Sequence, residues 1–203
     1  MTGVLPSATV SARTRRERLI DAMAASIEEK GYRDTTVADV VRLARTSRRS
    51  FYEHFEDRDA CFLALFDATN DAMMRRVAEN VDPARSLDEQ VDAAVDGYIS
   101  SVTEQPTLFA SFVRELPGLG QAGAQRSGAA LERFATTLVA LVDEAGRAQP
   151  GVVRRPLTMD TALIIVGGLR ELLVVSVQGG RDLQELRSSV VQTTTAIMRG
   201  MLL

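Results

Sequence analysis

The chain has one cysteine, Cys61, and one histidine, His54, among its 203 residues. A lone cysteine excludes an intrachain disulfide and suits a reducing compartment. A lone histidine excludes a two-histidine metal site and any His-based triad assembled away from residue 54. There is no Glu-x-x-His pair for a di-iron bundle, no phosphate-binding loop and no dinucleotide fingerprint. No metal or cofactor is therefore expected, and an enzyme is unsupported, although paired carboxylates can act without histidine. Long apolar runs are scarce too. The most apolar stretch, Ala162 to Leu169, meets Arg170 and Glu171 well before the ~20 residues that a membrane-spanning helix needs. The opening MTGVLPSATVSA has neither an early positive charge nor a continuous apolar segment, so it does not read as a secretory signal. The expectation is a soluble, cytoplasmic chain.

Strand signals are missing as well: there is no sustained alternation of apolar and polar residues, and no Asn-Gly or Asp-Gly hairpin turn. What is present is helical spacing. The composition, 45% hydrophobic and 25% charged, is that of an ordinary globular protein. Leu19, Ile20, Met23 and Ile27 recur at helical intervals and stop at Gly31. Thr36 with Asp39 three residues on has capping-box spacing and opens a short second helix; Ser47 and Asp57 can cap a third and a fourth. Further helices are expected over 87–104, from Pro106, over 126–148, 158–178 and 183–202, with LPGLGQAGAQ (116–125) as a loop. The fold class expected is all-α, with about nine helices. A disordered tail over 1–12, a DNA-binding head over 13–57 and a ligand-binding and dimerisation body over 58–203 complete the layout.

Charge is spread unevenly. Residues 1–55 hold ten basic and seven acidic groups, an excess of +3, whereas residues 56–203 hold fourteen arginines and twenty acidic groups, a net −6. A basic head on an acidic body suits a small DNA-binding module joined to a regulatory domain. Two short helices around a tight turn, the second opened by Ser47 and carrying Arg48, Arg49 and Tyr52, form a helix-turn-helix pattern. Arginine can donate two bonds to guanine in the major groove, and serine can bond several bases.

At TTVADVVRLA (35–44), SRRSFYEHF (47–55) and the following EDRD, the chain closely resembles the TetR family of bacterial transcription regulators. The resemblance implies a homodimer that binds a palindromic double-stranded DNA operator, and a small effector held in the C-terminal helices. It implies DNA contacts from Thr36, Thr46, Ser47, Arg48, Arg49, Ser50, Tyr52, His54 and Arg58, with Thr36, Tyr52, His54 and Arg58 on phosphates. The family's usual Gly-Val turn is replaced by Arg45-Thr46, so Arg45 either strains that turn or the turn is built differently. Phe51 and Phe55, at i and i+4, read as core, and so does Cys61.

In the body, residues 158–178 are apolar over more than half of the helical circumference, which requires burial on two sides. A second subunit is the simplest cover. Gly167 and Glu171 on this helix, and Ser189, Thr193, Ala196 and Gly200 beside the stripe Leu186, Val190, Ile197 and Met201 on the last, are the expected dimer contacts. Tyr98, Phe109, Phe112 and Phe134 gather on inward faces, and Arg170 lies within an apolar arc where it must pair with a carboxylate, such as that of a partner's Glu171, or with an anionic ligand. These five residues are the expected lining of a cavity for a hydrophobic or aromatic effector. The function expected is a ligand-released repressor. The alternatives are a helical small-molecule-binding protein or enzyme with a merely structural head, and a regulator that answers to a protein partner.

Overall fold

The structure is a computed structural model that describes residues 13–151 and 153–202, with backbone alone for residues 201 and 202. The tail expected over 1–12 and the side chain of Met201 lie outside the described residues. Among the described residues there are nine α-helices and no strand: α1 (Arg15–Asp34), α2 (Val37–Leu43), α3 (Arg48–Tyr52), α4 (Arg58–Asn80), α5 (Leu87–Thr103), α6 (Pro106–Glu115), α7 (Gly120–Ala148), α8 (Met159–Gln178) and α9 (Leu183–Leu202).

The helix starts are set by local chemistry. The Thr36 hydroxyl accepts the Asp39 amide at 3.3 Å, while the Asp39 carboxylate accepts the Thr36 amide at 3.0 Å. The Ser47 hydroxyl accepts the Ser50 amide at 3.1 Å, and the Asp57 carboxylate accepts the Ala60 amide at 2.7 Å. Each cap satisfies a first-turn N–H that has no partner within its own helix. Gly31 leaves the helical region at φ 80 and bends the end of α1 toward α2.

One expected loop is not a loop. Leu116–Leu119 forms a 3-10 turn, Gly120 (φ 58) redirects the chain, and α7 begins there rather than at residue 126. The small residues serve packing. A Cβ at position 123 would lie 2.1 Å from the Leu116 carbonyl oxygen, so Gly123 is what lets the first turn of α7 cross the 3-10 turn so closely.

Two cores result. The first joins Leu19, Met23, Ile27, Val40, Phe51 and Phe55 of the head to Cys61–Phe66 of α4 and to Leu108, Phe112 and Leu116. Packing therefore carries the head's core past residue 57 into the fourth helix and across to α6. The second lies among α5, α7, α8 and α9, around Val95, Ile99, Ala135, Ala162 and Leu173. Aromatic contacts thread the first core: Tyr32 stacks on Phe62 at 4.0 Å, and Phe62 and Phe66 meet Phe112 at 5.3 and 5.2 Å.

Candidate DNA-reading face and ligand cavity

The head presents α3 outward. Phe51 and Phe55 turn inward and are buried, and their ring centroids lie 5.6 Å apart. The opposite side carries Ser47, Arg48, Arg49, Tyr52 and His54, all exposed; Tyr52 is 57% exposed, unusual for a large ring with no cover. Arg49 makes one i,i+4 contact with Glu53 at 3.3 Å and otherwise projects freely. The turn before α3 puts Arg45 at φ 51, the one non-glycine residue with positive φ among the described residues. An L-residue there costs roughly 1–2 kcal/mol. Hydrogen bonds from the amides of Ala44 to Val40 and of Thr46 to Val41, both 2.9 Å, hold the turn despite that cost.

Three of the residues assigned to DNA from sequence sit differently from an open contact surface. Ser50 is 6% exposed, and its hydroxyl has no hydrogen-bond partner, so it faces the head's interior rather than a groove. The short helix leaves one side to packing, and Ser50 shares that side with Phe51. Arg58 is half-buried: it lies over the Tyr32 ring at 4.2 Å, donates to the Thr35 carbonyl at 3.2 Å and pairs with Asp59 at 3.3 Å. Its guanidinium fastens α4 to the end of α1. Thr46 is half-buried behind Arg45. Thr36 is exposed at the start of α2, where its hydroxyl is already engaged with Asp39. The Lys30 ammonium, 2.7 Å from Asp39, and the Thr36 hydroxyl hold that carboxyl well below the usual carboxylate range.

In the body, Tyr98, Phe109, Phe112, Phe134 and Arg170 line one cavity of about 500 Å³ between α4, α5, α6, α7 and α8. That volume lies within the ~300–1,000 Å³ of small-molecule sites. Tyr98 and Phe134 meet edge to face at 5.7 Å. Burial pushes the Tyr98 hydroxyl up to about 12, against a smaller opposing pull from the Arg170 charge, so it is a neutral donor at physiological pH. Cys61 is buried in the first core, away from this cavity, and burial pushes its thiol up to about 12. Among the described residues no cluster of His, Cys, Asp and Glu could hold a metal ion, and no helix is long and apolar enough to cross a membrane.

The expected dimer residues divide. Glu171, Ser189, Thr193, Ala196 and Gly200 are exposed, whereas Gly167 is half-buried. The outer stripe of α8 is instead Ile164, Gly168, Leu172 and Val175, beside Ile197 of α9; Ile164 is 74% and Val175 52% exposed. Glu171 lies on the same side of α8 as Ile164 and Val175, so the expected polar stripe borders this apolar one.

A fold of all-α type with an exposed helix-turn-helix head defines a class of DNA-binding protein. Residues 19–65 match the sequence model of the bacterial regulatory proteins of the tetR family. Over 127 residues the chain is 27% identical to an uncharacterised HTH-type transcriptional regulator of Haemophilus influenzae, a match that covers 61% of this chain and 60% of that protein. A tetR-family transcriptional regulator from Pectobacterium atrosepticum superimposes with a TM-score of 0.73 at 24% identity, covering 94% of this chain and 98% of the other. The transcriptional regulator FadR from Bacillus subtilis, in complex with stearoyl-CoA, does so with a TM-score of 0.70 at 19% identity, covering 89% and 97%. Residues 19–65 are thus similar to the tetR family, and the fold of the chain is that of solved tetR-type transcriptional regulators.

Proposed function

We propose that the chain is a dimeric repressor that reads a palindromic operator and leaves it when a small apolar effector enters the body. The observation that carries this reading is the outward face of α3, where Arg48, Arg49, Tyr52 and His54 stand free of the protein's own packing. Arg48 and Arg49 suit base edges; Tyr52 at the end of the helix and His54 in the turn after it suit phosphates. Ser47 and Thr36 bring helix N-termini to the backbone. Arg45 and Arg42, both exposed, add positive charge on the same module.

Dimerisation is supported by the stripe of Ile164, Leu172, Val175 and Ile197, an apolar surface that a lone soluble protomer has no reason to keep. Beside it, added side chains at Gly168 and Gly200 would meet nothing within 4 Å, so these glycines serve no packing inside the protomer. A two-fold axis through this face would place two α3 helices on successive major grooves, ~34–36 Å apart. An effector is supported by the cavity, and the similar fold that holds stearoyl-CoA favours an apolar guest. A route from cavity to head is supported by α6. Its first turn lacks a cap of its own and instead donates the Leu108 amide to Glu28 of α1 at 2.9 Å, while Glu115 at its far end pairs with Arg33 at 3.0 Å. Phe112, between those ties, lines the cavity and touches Phe62 and Phe66. A guest that shifts α6 therefore pulls on α1 and α4, and a change in head spacing weakens DNA binding.

The test is a gel shift on the DNA flanking the protein's own gene. Binding that is abolished in the double variant Arg48→Ala/Arg49→Ala supports the reading. A protein that retards no fragment of that region, or whose double variant binds equally well, points instead to a ligand-binding bundle with a structural head.

A further inference from the structure

Two cavities meet inside the body, and their linings differ. The larger, of about 500 Å³, mixes apolar walls with Asn70, Ser127, Arg170 and Glu171. The smaller, of about 130 Å³, is walled almost wholly by carbon, from residues such as Val77, Val91, Ala94, Leu138 and Val142. Tyr98, Phe134 and Val166 belong to both linings. The edge-to-face pair of Tyr98 and Phe134 thus stands as a partition between a mixed chamber and a dry one.

Arg170 is the unusual group. It is part-buried in the wall of the larger chamber, and its one side-chain hydrogen bond among the described residues is to the Ser127 hydroxyl at 2.8 Å. No carboxylate among the described residues lies within ion-pair distance of it, whereas Arg76, Arg126, Arg133 and Arg187 on neighbouring helices have acidic partners. A guanidinium offers five donors, and here most remain unused. The Tyr98 hydroxyl lies close enough to Arg170 to sense its charge. Glu171 reaches the same chamber from an exposed position and keeps its own hydration.

We propose that the site takes an unbranched amphiphile with an anionic head, bound against Arg170, Ser127 and Tyr98, with the end of its tail passing the Tyr98–Phe134 partition into the dry chamber. The proposal rests on the ligand-responsive reading above and adds the chemistry of the ligand. Arg170 supplies charge-assisted hydrogen bonds that a neutral head cannot match, and the carbon-lined chamber supplies transfer free energy that grows with each methylene. A cationic head meets the same arginine and is repelled.

Calorimetric titration of the full-length protein tests this with four probes of equal chain length: hexadecanoate, hexadecanoyl-CoA, hexadecan-1-ol and hexadecylamine. One or both anionic probes are expected to bind at least tenfold more tightly than the alcohol, and which of them binds tells whether the head is a carboxylate or a nucleotide-borne phosphate. Arg170→Met, which keeps the apolar stem, should weaken the anionic probe roughly tenfold to a hundredfold and leave the alcohol unchanged. Arg170→Lys should restore part of the loss, and Glu171→Gln should tighten the anion. Ala94→Phe and, should that variant fold poorly, Leu138→Phe should weaken hexadecanoate but not hexanoate. Equal binding of alcohol and anion, tighter binding of the amine, equal losses for anion and alcohol in Arg170→Met, or an unchanged preference for the longer chain in both chamber variants would overturn the proposal. A protein that shifts its operator DNA but binds neither anion overturns this inference and leaves the regulator reading standing. A protein that binds the anion and no DNA does the reverse.

Discussion

Replacing Ile164 by alanine isolates the proposed dimer face from the rest of the fold. Ile164 is 74% exposed in the protomer, so its side chain does almost nothing for the protomer's own core. Truncation removes three carbon groups, each contributing about 0.8 kcal/mol when withdrawn from water; with about three-quarters of that surface free to be covered by a partner, the loss is about 2 kcal/mol per protomer. A two-fold interface uses the residue twice, so the dimer loses about 3–4 kcal/mol, or two to three powers of ten in its dissociation constant. Sedimentation velocity over a dilution series from micromolar to nanomolar reads this directly. Wild type should be dimeric at micromolar concentration, and Ile164→Ala should dissociate well within the series while its helical circular dichroism and unfolding midpoint stay close to wild type. Glu144→Ala, at an exposed position of α7, is the control and should behave as wild type. A wild type that is monomeric at micromolar concentration, or a variant whose dissociation constant lies within about threefold of wild type, would refute the assignment of this face.

Other outcomes follow from the same geometry. Of Arg48→Ala and Arg49→Ala, the one that loses a base contact should cost about 1–3 kcal/mol and relax preference at one operator position, whereas Tyr52→Phe or His54→Ala should weaken binding to all sequences alike; competition gel shifts with single-base operator variants separate the two patterns. Gly123→Ala should destabilise by about 1–3 kcal/mol in urea unfolding because its Cβ would press on the Leu116 carbonyl, a backbone atom that cannot yield cheaply. Gly128→Ala, on the same helix with nothing within 4 Å of its Cβ, should instead gain up to about 1 kcal/mol from helix propensity; equal effects at the two sites would refute the packing argument. Asp39 ionises more readily in the folded state than in the unfolded chain, because Lys30 and Thr36 stabilise its anion. Its contribution is therefore fully present above the ordinary carboxylate value of about 4 and is lost as pH falls through its lowered value. The stability difference between wild type and Asp39→Asn should stay constant from neutral pH down to about that value and shrink below it; a difference that widens on acidification would count against the ion pair.

Much of the head was legible from residues alone because its signals are local. Thr36 with Asp39, Ser47 and Asp57 mark helix starts through hydrogen bonds that span three residues, and Phe51 with Phe55 fall on one side of α3 by helical geometry. Tyr98, Phe109, Phe112, Phe134 and Arg170 share a chamber, and helical spacing already put the four rings on inward sides of their helices. Other features needed the fold. Nothing in the spacing of SRRSFY marks Ser50 as interior, since its burial depends on how α3 tilts against its neighbours. Arg58 looks like a phosphate ligand in sequence and becomes a clamp only when α1 brings the Tyr32 ring and the Thr35 carbonyl to it. Residues 116–125 read as a loop by composition, yet α7 begins at Gly120, and Gly123 is the residue whose missing side chain lets its first turns cross the Leu116 carbonyl so closely. On α8 the sequence by itself determined an apolar surface over more than half of the helical circumference. Only the tertiary structure decided that Ile164, Gly168, Leu172 and Val175 face outward, because an apolar arc that wide carries no record of which part its own domain will take.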